Sequence, residues 1–107
     1  MFKEVMRNAI VESIKNNRIY DFIEEDSEEF DATSVYLSYA DTIYERIVSN
    51  NFDIENDSQI QQIALNICNE AIKTVLLGLS GVTRETPDER INDLLASELG
   101  IKKPEQK

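Results

Sequence analysis

Carboxylates are the side chains with the most capacity for chemistry in this sequence. The stretch YDFIEEDSEEFD, residues 20–31, contains seven acids and no base. Carboxylate pairs can act as general acid and base, and carboxylate groups can bind divalent cations. The same stretch contains four apolar or aromatic side chains, which favours a segment held against a core: Tyr20, Phe22, Ile23 and Phe30. A solvated loop, in which salt screens the charges, is the alternative interpretation.

A second group of acids has the spacing of a calcium-binding loop. Asp53, Glu55 and Asp57 match the first three ligand positions of an EF-hand. Ser58 would replace the glycine at position 6, and Ala64 would replace the bidentate glutamate at position 12. We therefore predict no metal ligand.

The other residue types argue against catalysis. The chain has no histidine, so it lacks the usual general base at neutral pH. Its single cysteine, Cys68, falls inside a helical pattern, where we expect a small buried side chain rather than a nucleophile. The sequence has no glycine-rich phosphate-binding motif. We predict a non-enzymatic protein with no catalytic residue and no cofactor.

The charge is distributed very unevenly along the chain. The whole sequence has 21 acids and 11 bases, a net charge of −10. Residues 19–72 contain 13 of the acids and one base, Arg46, a net of 1 − 13 = −12, and the flanks together carry +2. This sign disfavours direct binding to nucleic acid or to an anionic membrane. It favours a cationic partner, and most cationic protein surfaces serve to hold nucleic acid.

Twelve carboxylates in this segment are the predicted partner-binding residues. A helical frame that held them in a row would present the charge of roughly six base pairs of DNA. They are Asp21, Glu24, Glu25, Asp26, Glu28, Glu29, Asp31, Asp41, Glu45, Asp53, Glu55 and Asp57.

Helical spacing of apolar residues predicts the frame. Glycine and proline are scarce, and the pattern indicates an all-α fold, a small bundle of about four helices. A short helical turn over 18–25 and an N-cap at Asp26–Ser27 or Asp31 would precede the second helix. Tyr36, Tyr39 and Tyr44 share that helix and cannot all face one core. The predicted helices are 2–16, 32–49, a long central helix over 58–77, and 86–99.

Local signals define the ends of the last two helices. Asp57 or Ser58 is expected to cap the third helix, and Gly78 and Gly81 bracket its end. Its final stretch VLLGL is apolar all round, which predicts burial on several sides. For the fourth helix, TPDE at residues 86–89 forms a capping box, and Gly100 is a fitting stop. That helix either packs on the core or reaches across to a second copy.

Length and the remaining composition indicate one domain in the cytoplasm. We expect a helical domain over residues 1–100 and a flexible tail over 101–107. One cysteine excludes an intrachain disulfide, and neither a signal peptide nor a membrane span is recognisable. An apolar patch on the third or fourth helix would allow a homodimer.

Residues 16–57 resemble the central part of the Ocr-type phage anti-restriction proteins. The similar pieces are YDFIEED, the YAD at residues 39–41 and FDIEND at 52–57. Members of that family are small acidic helical dimers that imitate DNA and occupy the DNA site of type I restriction enzymes. The resemblance implies the same mimicry here, in the host cytoplasm if the protein is phage-encoded. The acids carried over are Asp21, Glu24, Glu25, Asp26, Asp41, Asp53, Glu55 and Asp57.

The sequence thus predicts an acidic inhibitor that blocks the DNA site of a nuclease or another nucleic-acid-binding protein in restriction or CRISPR-type defence. The alternative is a helical adaptor or regulatory subunit. It would dock its apolar helix 86–99 in a partner's groove, with the acids only solubilising it.

Overall fold

Four helices make up the part of the chain that the structure describes. The structure is a computed structural model that describes residues 1–18 and 29–102, with the side chains of 29–33 excepted. No strand occurs within these ranges, and the predicted small all-α bundle is confirmed. The helices are α1 (Phe2–Asn16), α2 (Glu29–Ser49), α3 (Ser58–Leu79) and α4 (Pro87–Leu99).

The long helix α3 is at the centre, as predicted. It packs against α1, α2 and α4, and its apolar stripe is wide enough to meet all three. Ile67, Cys68 and Ile72 are almost fully buried within it. The covering helices contribute residues at helical spacing: Met6, Ile10 and Ile14 from α1, Ala40, Ile43 and Ile47 from α2, and Ile91 and Leu95 from α4.

Both ends of α3 are set by local chemistry. Asp57 is the N-cap, and its carboxylate accepts hydrogen bonds from the N–H groups of Gln59 (3.0 Å) and Ile60 (3.4 Å). At the other end Gly81 adopts a left-handed φ of 75°. This conformation lets the N–H of Val82 reach the carbonyl of Leu77 at 2.8 Å, in a Schellman motif.

The last turns of α3 are less buried than the sequence predicts. Leu79 is 45% exposed and Val82, just beyond the helix, is 70% exposed. The helix lengths explain the difference. Ser13, near the end of α1, donates a hydrogen bond to Asn69 of α3. Helix α1 ends at Asn16, whereas α3 continues from Asn69 for two or more turns, so α1 does not cover the last turns of α3. The prediction of burial on several sides is wrong for this end.

The start of α2 also differs from prediction. The helix begins at Glu29 rather than at residue 32, which places Asp31 inside its first turn. Asp31 is therefore not the N-cap. The other predicted cap, Asp26–Ser27, and residues 19–25 of the predicted helical turn lie outside the described residues.

The N-cap of α4 at Thr86 is confirmed, and Glu89 contacts the Thr86 hydroxyl rather than the backbone N–H that a full capping box uses. The N–H of Glu89 donates to Thr86 Oγ1 at 3.2 Å, and the Thr86 hydroxyl donates to Glu89 Oε1 at 3.1 Å. Ile91 and Leu95 are buried, and Leu94 and Leu99 pack on the same core. The helix packs on its own bundle, so its apolar stripe is not free to dock in a partner's groove.

The domain extends one residue past its predicted limit. Ile101 was expected to begin the tail, but it is 2% exposed and belongs to the core. Gly100 turns the chain with a φ of 67°, and the N–H of Ile101 then donates to the carbonyl of Leu95 at 3.1 Å. The turn directs the next side chain back onto the bundle. Residues 103–107 lie outside the described residues.

Replacement of Ile101 by alanine should therefore destabilise the domain. We expect a loss of about 2–4 kcal/mol in the free energy of unfolding, because the change leaves a cavity in the core. Urea denaturation followed by circular dichroism measures this loss. Val82→Ala, at an exposed apolar position, is the matched control and should change stability by about 0.5 kcal/mol or less. Equal effects of the two changes would show that Ile101 is not part of the core.

Candidate acidic interface

The described residues include only part of the predicted acidic set. Asp21, Glu24, Glu25, Asp26 and Glu28 lie outside the described residues. Glu29 and Asp31 belong to the first turn of α2, where side chains are not described. The geometry of the site is therefore built from the remaining five: Asp41, Glu45, Asp53, Glu55 and Asp57.

Asp41 is used to join two helices. Arg7 Nη1 on α1 donates to both of its carboxylate oxygens, at 3.3 and 3.2 Å. Both side chains are partly exposed, so the pair contributes at most about 1 kcal/mol to stability. The contact neutralises Asp41, which therefore adds little to an acidic surface.

The loop from residue 50 to 57 places three predicted acids close together. Asn51 adopts a left-handed φ of 67° at the end of α2, and the Phe52 N–H returns to the Ile47 carbonyl at 3.3 Å. Ile54 is buried and pins the loop to the core. The residues on either side of it, Asp53 and Glu55, are consequently exposed.

Glu55 connects this loop to α1 and α2. Its carboxylate accepts the N–H of Phe2, at 2.9 and 3.2 Å, and the hydroxyl of Tyr44, at 2.5 Å. The Tyr44 hydrogen bond is the main cause that lowers the pKa of Glu55, followed by the Phe2 N–H, with the N-terminal ammonium contributing. The same hydrogen bond is the main cause that raises the pKa of Tyr44.

Asp53 and Asp57 also receive hydrogen bonds from neutral groups. The side-chain amide of Asn56 donates to Asp53 at 3.3 Å, and Asp57 caps α3. Glu45 is exposed on the last part of α2, next to Tyr44. We call Glu45, Asp53, Glu55 and Asp57 the acidic end of the bundle. Neutral donors satisfy carboxylate oxygens without cancelling their charge.

Three bases of the described region, Arg7, Arg46 and Arg90, contact groups outside the acidic end. Arg90 pairs with Glu70 at 3.0 Å, and Arg46 donates to the Asn92 side chain at 2.6 Å and the Lys102 carbonyl at 2.8 Å. Lys3 lies over the Tyr44 ring, 5.5 Å from its centroid, and is the base placed to offset part of the charge of the acidic end. Neither ion pair described here, Arg7–Asp41 or Arg90–Glu70, involves a carboxylate of the acidic end.

The described acids do not form a continuous row along α2. Its exposed face between residues 34 and 49 consists mainly of neutral side chains: Ser34, Val35, Ser38, Thr42, Val48 and Ser49, with Glu45 among them. Asp41 precedes Thr42 of this face by one residue, so its side chain projects from another side of the helix, toward Arg7 on α1. The described acids therefore concentrate at the loop end rather than along α2, and the expectation of a row formed by all twelve acids stays a prediction.

Two grooves between helices were not predicted. One, of about 300 Å³, includes Tyr36, Tyr39, Leu79 and Pro87 in its lining. The rings of Tyr36 and Tyr39 lie 6.3 Å apart at 37°, and both tyrosines are half-buried, as is Tyr44. Burial raises the pKa of both tyrosines of this groove. In Tyr39 it is the largest of several causes. Such grooves arise from how helices meet, so a linear pattern gives little sign of them.

The second groove, of about 430 Å³, lies between α3 and α4. Ile63, Ile67 and Leu94 provide its apolar part. Its polar part consists of amides and carboxylates: Asn66, Asn69, Glu70 and Glu98.

Nothing in the described region forms a recognisable metal centre or nucleophile. Burial raises the pKa of Cys68 to about 12, so its thiol is protonated and inert at neutral pH, and the prediction of a small buried side chain is confirmed. No group of three potential metal ligands occurs among the described residues. Within the same residues, no helix combines the length and apolar character needed to cross a membrane.

Comparisons with protein-family models, with curated proteins and with solved structures gave no match. The resemblance to the Ocr-type proteins stays a prediction.

Replacement of Glu55 by glutamine should flatten the acid dependence of stability. The pKa of folded Glu55 is depressed below its unfolded value, so its stabilisation is present above that unfolded value, near 4.5. It is lost as the pH falls through the folded value. Urea midpoints measured between about pH 6 and pH 3 should fall less in Glu55→Gln than in the parent chain. Glu45→Gln, at an exposed carboxylate without these contacts, is the control and should show the same fall of the urea midpoint as the parent chain. A parent-like fall in Glu55→Gln would contradict a stabilising role of the contacts with Tyr44 and Phe2.

Proposed function

We propose that this protein is a non-enzymatic inhibitor that binds, through its acidic segment, a cationic protein surface that otherwise holds nucleic acid. The observation that carries the proposal is the acidic end, whose four exposed carboxylates receive hydrogen bonds from neutral donors or none at all. Their charge is therefore retained at the surface. Like charges held together cost folding free energy, and binding of a cationic partner would account for their concentration at one end.

The fold spreads the acidic segment over a distance comparable to a short DNA site. Helix α2 has 21 residues, so about 31 Å separates the region of Glu29 from the acidic end. Duplex DNA of that length carries about 18 phosphate charges. The net charge of residues 19–72 is −12, from 13 acids and one base. Arg7 and Arg90, which lie outside this segment, neutralise Asp41 and Glu70, so the segment supplies roughly half of the charge of the DNA that it would replace.

The mechanism is competition for a cationic cleft. Lysine and arginine side chains that normally contact phosphates would pair with the carboxylates, and the helical bundle would fill the space of the duplex. Nucleases of restriction or CRISPR-type defence are the proposed targets, because the segment has a net charge of −12 and the Ocr-type resemblance implies a restriction enzyme. Neither catalysis nor a cofactor is needed, since occupancy of the cleft is sufficient.

Capture experiments at two salt concentrations test the electrostatic mechanism. The immobilised chain is incubated with a bacterial lysate, and captured proteins are eluted with duplex DNA or with salt. Because a nucleic-acid cleft loses affinity steeply as salt rises, we expect at least about ten-fold less capture at about 200 mM than at about 50 mM salt. Captured proteins should also bind DNA and be displaced by it. Capture that resists both salt and DNA would contradict the proposal.

Charge-reversed variants identify the surface responsible. Glu45→Lys with Asp53→Lys changes the net charge from −10 to −10 + 4 = −6, and should abolish most of the salt-sensitive capture. Glu24→Lys with Glu25→Lys tests the acidic run in the same way. Glu12→Lys with Glu85→Lys reaches the same net charge through acids outside the segment and should retain capture. Equal losses of salt-sensitive capture in all three double variants would mean that capture depends on net charge alone.

A second candidate function is supported by exposed apolar side chains. Leu79 and Val82 are exposed beside the groove that contains Tyr36 and Tyr39, a composition typical of protein–protein interfaces. This surface replaces the α4 stripe as the docking surface of an adaptor, since that stripe lies in the core. An adaptor would lose its partner in Leu79→Ser with Val82→Ser and keep it in the lysine variants. The electrostatic inhibitor would show the opposite pattern.

A further inference from the structure

The groove between α3 and α4 is distinct from the acidic end and from the groove that contains Tyr36 and Tyr39. Its floor is apolar, formed by Ile63, Ile67 and Leu94, and its volume of about 430 Å³ is within the range of small-ligand sites. Amide and carboxylate groups line the rest. A ligand that fits this lining needs an apolar part for the floor and polar groups that hydrogen-bond to the amides and to the carboxylate of Glu98.

The acceptors of this groove are only partly used. Asn69 Oδ1 accepts the Ser13 hydroxyl at 2.7 Å, and Asn66 Oδ1 accepts the Gln62 amide at 3.2 Å. An amide oxygen has two lone pairs, so each has capacity for a further donor. Glu98 is exposed at the groove and takes no part in the Arg7–Asp41 and Arg90–Glu70 ion pairs.

The charge of the groove is negative at one end. Arg90 holds Glu70 at 3.0 Å and neutralises it. Glu98 lies two helical turns further along α4, about 12 Å from Arg90 along the helix axis. That spacing leaves Glu98 as the carboxylate of the lining that is not the partner of Arg90, on the same helix as the apolar side chain of Leu94.

We propose that this groove binds the side chain of an arginine from a partner protein. The three methylene groups would lie on Ile63 and Leu94, and the guanidinium would donate to Glu98 and Asn66. Arginine is a cation with five N–H donors, which matches the carboxylate of Glu98 and the amide oxygen of Asn66. The inference rests on the proposed function only for the class of partner, a basic protein. The chemistry of the groove is tested without that partner.

A titration of the folded, ¹⁵N-labelled chain with N-acetyl-arginine methylamide provides the test. Amide resonances of residues 63–70 and 94–98 should shift with saturation. The citrulline analogue, which is neutral and similar in shape, should bind at least about five-fold more weakly. Equal binding of the two analogues would overturn the assignment and indicate a site for a neutral ligand. Shifts spread over the whole acidic surface would overturn it as well, because they would indicate non-specific attraction.

Two matched variants locate the contact. Glu98→Gln removes one negative charge at an exposed position and should weaken arginine binding by about two- to five-fold. Glu12→Gln removes the same charge from α1 and should leave binding unchanged. An equal effect of both variants would overturn the proposal. The acidic-end lysine variants retain Glu98, so a failure of the capture experiments would leave the outcome at this groove unaffected.

Discussion

The burial of α3 is the constraint on which the rest of this structure depends. Ile67, Cys68 and Ile72 are inaccessible only because three other helices cover α3. Complete burial of each isoleucine side chain contributes about 1.5–3 kcal/mol. This apolar core has to offset the self-repulsion of a small chain with a net charge of −10. Acids can therefore concentrate on the surface as long as the core remains intact.

The loop after α2 contributes both to the apolar core and to the acidic surface within a few residues. Ile54 is buried and Glu55 is exposed, so adjacent side chains serve the core and the surface. Glu55 joins three elements through Phe2 and Tyr44, yet it remains ionised, because both contacts favour the charged carboxylate. A structural role and a recognition role are thus compatible in the same group. Asp41 differs, since its contact with Arg7 neutralises it.

Features set by local chemistry could be predicted from the sequence. Asp57 and Thr86 cap their helices where the pattern placed caps, because a capping side chain contacts N–H groups only two or three residues away. Features set by the meeting of helices could not be predicted. The exposure of Leu79, the pairing of Arg7 with Asp41 and both grooves depend on relative helix lengths and rotations. Ile101 was missed because its burial depends on the turn at Gly100, after the periodic pattern has ended.

The salt dependence of folding stability tests the central claim, that the surface acids are uncompensated charges which the core must offset. The measurement is the urea midpoint of the parent chain from about 0.01 M to about 1 M NaCl, over which the screening length falls from about 30 Å to about 3 Å. The account predicts that the midpoint rises with salt, and rises less in Glu45→Lys with Asp53→Lys. A midpoint that falls with salt would mean that net attraction, through ion pairs, holds the acids in place. That result would contradict the account of an acidic surface maintained for a cationic partner.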